Sequence, residues 1–386
     1  MKIAIIGQKG APTKSGGIER YAENLAANLA TQGHEVSLYS RKYYSQGIKE
    51  YRGFKIISVP SINTKHLEAI TNTFFACLDA IFRDFDVINI QAIGPASLIW
   101  ILKIFKPRTP IIFTFHCQDY YHKKWGLASR QFLKLGEYLG CRLADKVVVT
   151  SRTLMHYVNL EYGFMPVYIP YGTDTPEKVP VQQIRAWGLE NKNYIAYIGR
   201  LVRHKGVHHL INAYRQIETN KKLVIVGASA HTDDYVQELH DLAAGDDRII
   251  FTGNQEGSVL KELFSNAYVF VQPSEYEGLS VALLEAMGWG LTCLVSDIPQ
   301  NLEGINEAGL SFYTNDAKDL KDKLEILLKN PEKTEELGKL ARERAEQEYN
   351  WPKVSSEIAA LAKEMISKGK DRKNFNNQRE IILKNR

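Results

Sequence analysis

Two glutamates, Glu277 and Glu285, lie within the segment PSEYEGLSVALLEAMGWG, and their types and spacing suit a ligand that is polar at both ends. Glu285 interrupts the apolar run Val281, Ala282, Leu283, Leu284, Ala286 and Met287. Burial is expected there, and a buried carboxylate needs partners. The hydroxyls of a polar ligand are the best partners on offer. A helix starting close to Gly278 would separate the two carboxylates by a rise of ~12 Å, roughly the span from sugar to ribose in a nucleotide sugar. A diphosphate between them would meet the free N–H groups and dipole of the helix start, which favour anions. The alternative, a solvated helix with one odd acid, is opposed by the apolar pattern.

Three further loops carry groups of chemical interest, each directly after a strand-like run, where open α/β sheets bind ligands. GQKGAPTKSGG follows the first run and places Gly16 and Gly17 ahead of a helix, so that backbone can approach a phosphate or sugar closely. Its spacing is not GxGxxG, and no acidic residue ends the second run, Ser37-Leu38-Tyr39-Ser40, so a dinucleotide site is not expected. A plain turn-rich loop is the competing reading. After Phe115 come His116 and Asp119, an imidazole and a carboxylate that either serve a cleft rim or are ordinary hydrogen-bonded structure. After Ile198 comes Gly199-Arg200-Leu201-Val202-Arg203-His204-Lys205-Gly206, in which Arg200 and Lys205 suit a diphosphate unless they are simply solvated.

These loops need a scaffold, and the pattern of apolar runs supplies one. Lys2 to Ile6, Glu35 to Tyr39, Lys55 to Val59, Asp86 to Ile90, Pro110 to Phe115, Lys146 to Thr150 and Val167 to Ile169 alternate with helical patterns. A second series runs through Tyr194 to Ile198, Lys222 to Val226, Arg248 to Phe251, Tyr268 to Val271 and Thr292 to Val295. Alternation of this kind predicts two doubly wound, largely parallel α/β units in tandem. Turn formers from Ile169 to Pro176 mark the junction, giving domains of 1–171 and 172–350, a closing helical segment at 351–367 and a basic polar tail at 368–386. A helix from Ile18 to about Gln32 carries Tyr21, Leu25, Ala26 and Leu29 on one face, with Gly33 as its stop. Apolar helical stretches are also expected at Ile70 to Phe85 and Pro95 to Phe105.

Composition excludes several classes. Of the 386 residues 44% are hydrophobic and 24% charged, which is the profile of a globular protein and argues against disorder or a collagen-like chain. The apolar run behind Met1 is too short for a signal peptide, and none of the helical stretches reaches the ~20 apolar residues of a membrane span. Cys77, Cys117, Cys141 and Cys293 form no CxxC pair and no histidine stands at metal-ligand spacing, so neither a metal nor a disulfide framework is expected, and a reduced cytosol suits them. Residues 1–171 carry 21 basic and 12 acidic side chains, whereas 172–367 carry 21 and 30. A basic first half suits an anionic membrane leaflet or nucleic acid, and no nucleic-acid-binding motif supports the second.

Together the four loops resemble those of the retaining glycosyltransferases of the GT-B fold, in the nucleotide-sugar family called group 1 or family 4. The resemblance covers nearly the whole chain. Its most specific element is an E-x7-E motif, here Glu277 to Glu285, preceded by Pro273-Ser274 and followed by Ala286-Met287. GRLVRHKG at 199–206, SGGIERYAENLAANLATQGHEV at 15–36 and IPYGTD at 169–174 support it. The stretch HCQDYYHKKWG at 116–126 is similar to HGLDWQRxKWG of rhamnosyltransferase-like enzymes, with departures at Cys117, Tyr120 and His122, so it implies no particular acceptor.

The resemblance implies two Rossmann-like domains facing across a cleft, the first on the acceptor side, the second binding the donor, and the closing helix packing back toward the first. It implies a cytosolic hexosyltransferase of cell-surface polysaccharide synthesis, with no cofactor because the nucleotide sugar is itself a substrate, and no metal because cationic side chains would neutralise the leaving group. The charge split and the apolar helical stretches add the expectation of a peripheral position at the inner membrane face. Arg200 and Lys205 would neutralise the diphosphate, Glu285 would hold the ribose and Glu277 the sugar. The Gly278, Leu279 and Ser280 amides would lie near sugar or phosphate, and Gly16 and Gly17 would pack against the donor. His116 would orient the sugar and stabilise a cationic anomeric centre, with Asp119 on the acceptor side. The acceptor would be a saccharide, free or lipid-linked. Rival readings are a GT-B-fold sugar-nucleotide epimerase, which needs acid and base groups around the sugar, and a non-catalytic nucleic-acid-binding protein, which gives the Glu277/Glu285 pair no purpose.

Overall fold

The computed structural model describes residues 1–14, 16–62, 64, 67–121, 125–229 and 232–384, with side chains as far as Lys368. The chain forms two compact units, Met1–Pro170 with Trp351–Arg386, and Tyr171–Asn350.

Unit 1 contains β1 (Lys2–Ile6), β2 (Glu35–Arg41), β3 (Glu50–Tyr51), β4 (Phe54–Val59), β5 (Val87–Gln91), β6 (Ile111–Phe115), β7 (Lys146–Val149) and β8 (Val167–Tyr168). They are ordered β3-β4-β2-β1-β5-β6-β7-β8, parallel throughout except that β3 pairs antiparallel with β4. Residues of β5 and β6 are buried on both faces, which explains why these strands read as continuous apolar runs rather than alternating ones. Ile88, Ile90, Phe113 and Phe115 contribute to the core, each worth about 1.5–3 kcal/mol of burial.

Helix Gly17–Thr31 buries Tyr21, Leu25, Ala26 and Leu29. It stops at Gly33, whose φ of +82° lets its N–H reach the Ala30 carbonyl at 2.9 Å while His34 N–H reaches that of Leu29 at 3.2 Å. Helix Trp351–Lys384 belongs to this unit and packs on helix Gly17–Thr31, where the Gln32 amide donates to Ser355 Oγ at 2.8 Å and the Tyr21 and Trp351 rings lie 5.8 Å apart.

Unit 2 contains β9 (Tyr194–Ile198), β10 (Lys222–Val226), β11 (Ile249–Gly253), β12 (Val269–Gln272), β13 (Thr292–Ser296) and β14 (Gly309–Phe312), all parallel and ordered β11-β10-β9-β12-β13-β14. In both units the strand order reverses beside the first strand, between β1 and β5 and between β9 and β12. A crevice at the carboxyl ends of the strands opens at such a reversal.

Three sequence expectations are corrected. The residues expected as a polar tail from 368 onward continue the helix to Lys384, because Lys, Arg, Gln and Glu are good helix formers and no proline intervenes. The stretch Pro95 to Phe105 is two helices, Ile93–Ala96 and Ile99–Phe105, split where Ser97 Oγ donates back to the Gly94 carbonyl at 2.7 Å. Helix Glu68–Ile81 replaces the expected Ile70 to Phe85. Strands β3 and β14 were not foreseen. No helix among the described residues is long and apolar enough to cross a membrane.

Candidate active site

The reversal in unit 2 brings the loop after β9 against the loop after β12. Lys205 and Glu277, 72 positions apart, form an ion pair there, and Ser274 Oγ donates to the same Glu277 oxygen at 2.7 Å. Glu277 is 9% exposed, so its charge is held by these two donors rather than by bulk water. The loops also touch through backbone: Glu275 N–H donates to the His204 carbonyl at 2.8 Å. Gly206 makes the approach possible. Its φ is +69°, and a Cβ there would lie 1.9 Å from the Pro273 carbonyl oxygen. Arg200 is exposed at the start of the loop after β9, with its carbonyl accepting from Tyr197 Oη at 3.0 Å.

Beneath Glu277 a buried polar network fixes the loop. Gln272, the last residue of β12, donates to Asn301 Oδ1 at 2.8 Å and accepts from Ser280 Oγ at 2.8 Å. Ser296 Oγ donates to the Ser274 carbonyl at 2.5 Å, and Asn301 Nδ2 donates to Ser296 Oγ at 2.9 Å. Ser280 also caps helix Val281–Gly288 by accepting from the Leu283 N–H.

That cap corrects two sequence readings. The helix starts at Val281 and not near Gly278, so Glu277 lies in the preceding loop with Gly278 and Leu279, and the Glu277–Glu285 separation is not a pure helical rise. Glu285 is only half-buried, on a face shared with Val281 and Ala282, while Leu283, Leu284, Ala286 and Met287 turn inward. The buried acid of the pair is Glu277.

In unit 1 the equivalent reversal presents Gln91 at the end of β5, next to His116 just beyond β6. His116 Nε2 lies 2.8 Å from Gln91 Oε1, and both residues are fully enclosed. An amide oxygen only accepts, so Nε2 carries the proton and Nδ1 the lone pair. Burial pulls the imidazole down to about 3, against a smaller opposing influence from Asp119, and His116 is neutral at physiological pH. The Tyr21 ring meets it edge-on at 5.0 Å.

Asp119 opens the short 3-10 turn Asp119–Tyr121, half-buried, with Cys117 Sγ 3.2 Å from its Oδ1. The turn is anchored from below. Gln118 Nε2 donates to Tyr120 Oη at 2.6 Å, Tyr120 Oη lies 3.3 Å from Tyr157 Oη, and Tyr157 and Tyr162 donate to Glu137 Oε1 at 2.5 and 2.8 Å. Burial raises the Glu137 carboxyl above its ordinary value. His122, with its neighbours Lys123 and Lys124, lies outside the described residues. Gly16 has a φ of +104°, which favours glycine, and caps the helix that Gly17 begins. Glu19 and Glu23 on that helix accept from the Lys9 and Thr13 N–H groups at 3.3 and 2.6 Å, pinning the loop.

Two family models tile the chain. Residues 15–177 match glycosyltransferase family 4, and residues 182–344 match glycosyl transferases group 1. The chain belongs to the group 1 glycosyltransferases. Its two parallel α/β units are those of the GT-B fold. This glycosyltransferase is 25% identical to spore coat protein SA of Bacillus subtilis, over 94% of the chain and 99% of that protein. It is 23% identical to an MMP alpha-(1->4)-mannosyltransferase of Mycolicibacterium hassiacum over 95% of the chain and 99% of that protein. Among solved structures it resembles a sucrose-phosphate synthase from Thermosynechococcus elongatus, with TM-score 0.81 at 23% identity over 95% of the chain and 99% of that one. Anabaena HepE in complex with UDP-glucose gives TM-score 0.78 at 18% identity, over 94% and 100%.

Of the residues singled out in the sequence, the glycosyltransferase joins Lys205 to Glu277 directly and sets Gly278, Leu279 and Ser280 in the same loop. Glu285 follows one helical turn on. The sequence reading missed Gln91, Gln272, Ser274 and Asn301. One signal was available: β5 (VINIQ) and β12 (VFVQ) are apolar strands that both end in a buried glutamine.

Proposed function

We propose that this glycosyltransferase is a retaining, metal-independent hexosyltransferase of the cytosol, using a nucleotide-sugar donor and a saccharide or lipid-linked saccharide acceptor of cell-surface polysaccharide synthesis. The observation that carries the reading is the Lys205–Glu277–Ser274 cluster at the strand-order reversal of unit 2. A lysine and a carboxylate that pair with each other can each take a ligand group of opposite demand. The ammonium turns to the diphosphate beside exposed Arg200, and the carboxylate accepts from sugar hydroxyls. Glu285, half-buried one turn into the helix, accepts from the ribose. His116 serves as a neutral hydrogen-bonding group, because an imidazolium would repel a cationic anomeric centre.

Retention follows from a front-face substitution. The anomeric C–O bond to the diphosphate breaks with its electron pair leaving on phosphate oxygen. The acceptor hydroxyl forms the new bond on the same face, and its proton passes to the departing phosphate. The charge that develops is on the diphosphate, where Arg200 and Lys205 stabilise it.

HepE and its UDP-glucose complex suggest the first donor to try. Thermal shift against UDP, ADP, GDP and their sugars should show one base raising the melting temperature, since a ligand that binds the folded state stabilises it. NMR of the product made from that donor should show a retained anomeric configuration. An inverted product overturns the mechanism, and an epimerised sugar released without acceptor overturns the transferase reading in favour of an epimerase.

The lipid-linked acceptor has its own support in unit 1. Phe82 is 89% exposed, Phe105 61% and Ile104 60%, and Lys106 Nζ reaches the Arg83 carbonyl, tying the ends of the two helices that carry them. Apolar side chains flanked by Arg83, Lys106 and exposed Arg108 suit an anionic bilayer surface. Co-sedimentation should favour anionic over neutral vesicles at low salt and weaken in Phe82→Ser/Phe105→Ser. Equal or absent binding removes the membrane and leaves the transferase.

A further inference from the structure

We infer that His208, His209 and Glu275 form a binding site for one divalent transition-metal ion of the zinc class. One ligand atom from each of the three lies within 4.8 Å of the others, and all three residues are half-buried. The sequence conceals the site because Glu275 is far from the histidines along the chain, so no metal-ligand spacing is visible. The reversal between β9 and β12 brings them together.

The donor set decides the class of ion. Two imidazoles and one carboxylate are a zinc-type set with a fourth position left for water, whereas magnesium and calcium require oxygen ligands. The His209 Nε2 to Glu275 Oε1 distance is 3.9 Å, too long for a hydrogen bond. An ion ~2.0–2.2 Å from each ligand would close that gap by about half an ångström. His208 has the supporting contact that a metal-binding histidine usually has: its Nδ1 lies 2.8 Å from Tyr235 Oη, which fixes the ring and leaves Nε2 as the nitrogen for the ion. Tyr235 is itself buried, and the two rings pack edge-to-face at 5.7 Å. Arg203, which lies over the Tyr235 ring, is paired with Glu238.

The ion would complete a ladder between two segments. Residues 204–209 and 273–277 are joined by the Glu275 N–H to His204 carbonyl bond and by the Lys205–Glu277 ion pair. The His209–Glu275 contact is the third rung, and it is the one that a proton-free bridge would strengthen. Neither Lys205 nor Glu277 belongs to the ligand group, so the ion's consequence is stability of unit 2 rather than turnover.

The test is thermal unfolding of the full chain with ZnCl2, with MgCl2 and with EDTA, together with zinc titration calorimetry. Saturating zinc should bind at one ion per chain and raise the melting temperature by ~5 °C, reversibly on EDTA, while magnesium has no effect. His209→Ala and Glu275→Gln should each abolish the shift, keep the far-UV circular dichroism of the parent and hold turnover within about two-fold. Cys117→Ser should keep the shift, which excludes the half-buried thiol as the ligand. No shift in the parent, or a shift that survives in both His209→Ala and Glu275→Gln, overturns the site.

Discussion

Gln91 and Gln272 occupy equivalent places in the two units, each ending the strand that pairs with the first strand of its sheet at the reversal of strand order, yet they are satisfied differently. Gln272 uses both ends of its amide, donating to Asn301 and accepting from Ser280. Gln91 accepts from His116, and its Nε2 has no hydrogen-bond partner among the described residues. The difference follows from what each supports. In unit 2 the chemistry-bearing groups are charged, and the glutamine is part of a closed network that holds the loop under Glu277. In unit 1 the glutamine itself touches the candidate group, fixing the tautomer of a neutral histidine and keeping a donor in reserve.

The largest effect expected from this contrast lies in unit 2. Glu277→Ala and Lys205→Ala should each lower kcat by ~10²–10³-fold, the cost of one preorganised electrostatic contact to developing charge, and should leave the fold intact. Steady-state kinetics with the cognate donor checks this. Near-normal rates in both variants would remove the donor site from unit 2.

A smaller effect separates unit 1, and its sign can be worked out. The folded protein holds His116 neutral down to about pH 3, while the unfolded chain takes up the proton near pH 6.5. Between those values the unfolded state binds more protons, so stability falls as pH falls, with a slope approaching ~1.4 kcal/mol per pH unit. Above pH 6.5 the histidine contributes no slope. Glu137 acts in the opposite sense, since its raised carboxyl loses stability as pH rises above its ordinary value. Urea unfolding of the parent and of His116→Gln between pH 7 and pH 5 isolates the histidine: the parent should lose ~2 kcal/mol more than the variant. Parallel profiles would mean that the imidazole is not held neutral.

How much of this was legible depends on range. Strands β1, β9 and β10 could be read to the residue because a parallel strand buried on both faces is a local, continuous apolar signal. β3 is two residues long and β14 opens with Gly309, so neither has the length or the β-branched content that identifies a strand. The E-x7-E segment was visible, but its helix start was misplaced because Gly278 is a plausible turn and the true cap, Ser280, lacks the Glu or Gln three residues on that would complete a capping box. The Lys205–Glu277 pair was beyond reach in one dimension. Both residues could be named separately, but their contact depends on β9 lying next to β12, which only the sheet order establishes.

The smallest expected effect tests whether the unit 2 network is support or chemistry. Ser280 is buried, caps helix Val281–Gly288 and donates to Gln272 Oε1. Ser280→Ala removes the cap, worth about 1 kcal/mol, and leaves the Gln272 oxygen without that donor, which adds up to ~1 kcal/mol more. Stability from urea unfolding should therefore fall by ~1–2 kcal/mol. Turnover should fall less than tenfold, because the Gly278 and Leu279 amides and Glu277 remain and only their rigidity is reduced. Ser280→Thr keeps the hydroxyl and should recover most of both losses. If Ser280→Ala instead abolishes turnover as Glu277→Ala does, at unchanged stability, the hydroxyl contacts the donor itself. The division between a bracing network in unit 2 and a directly contacting glutamine in unit 1 would then fail.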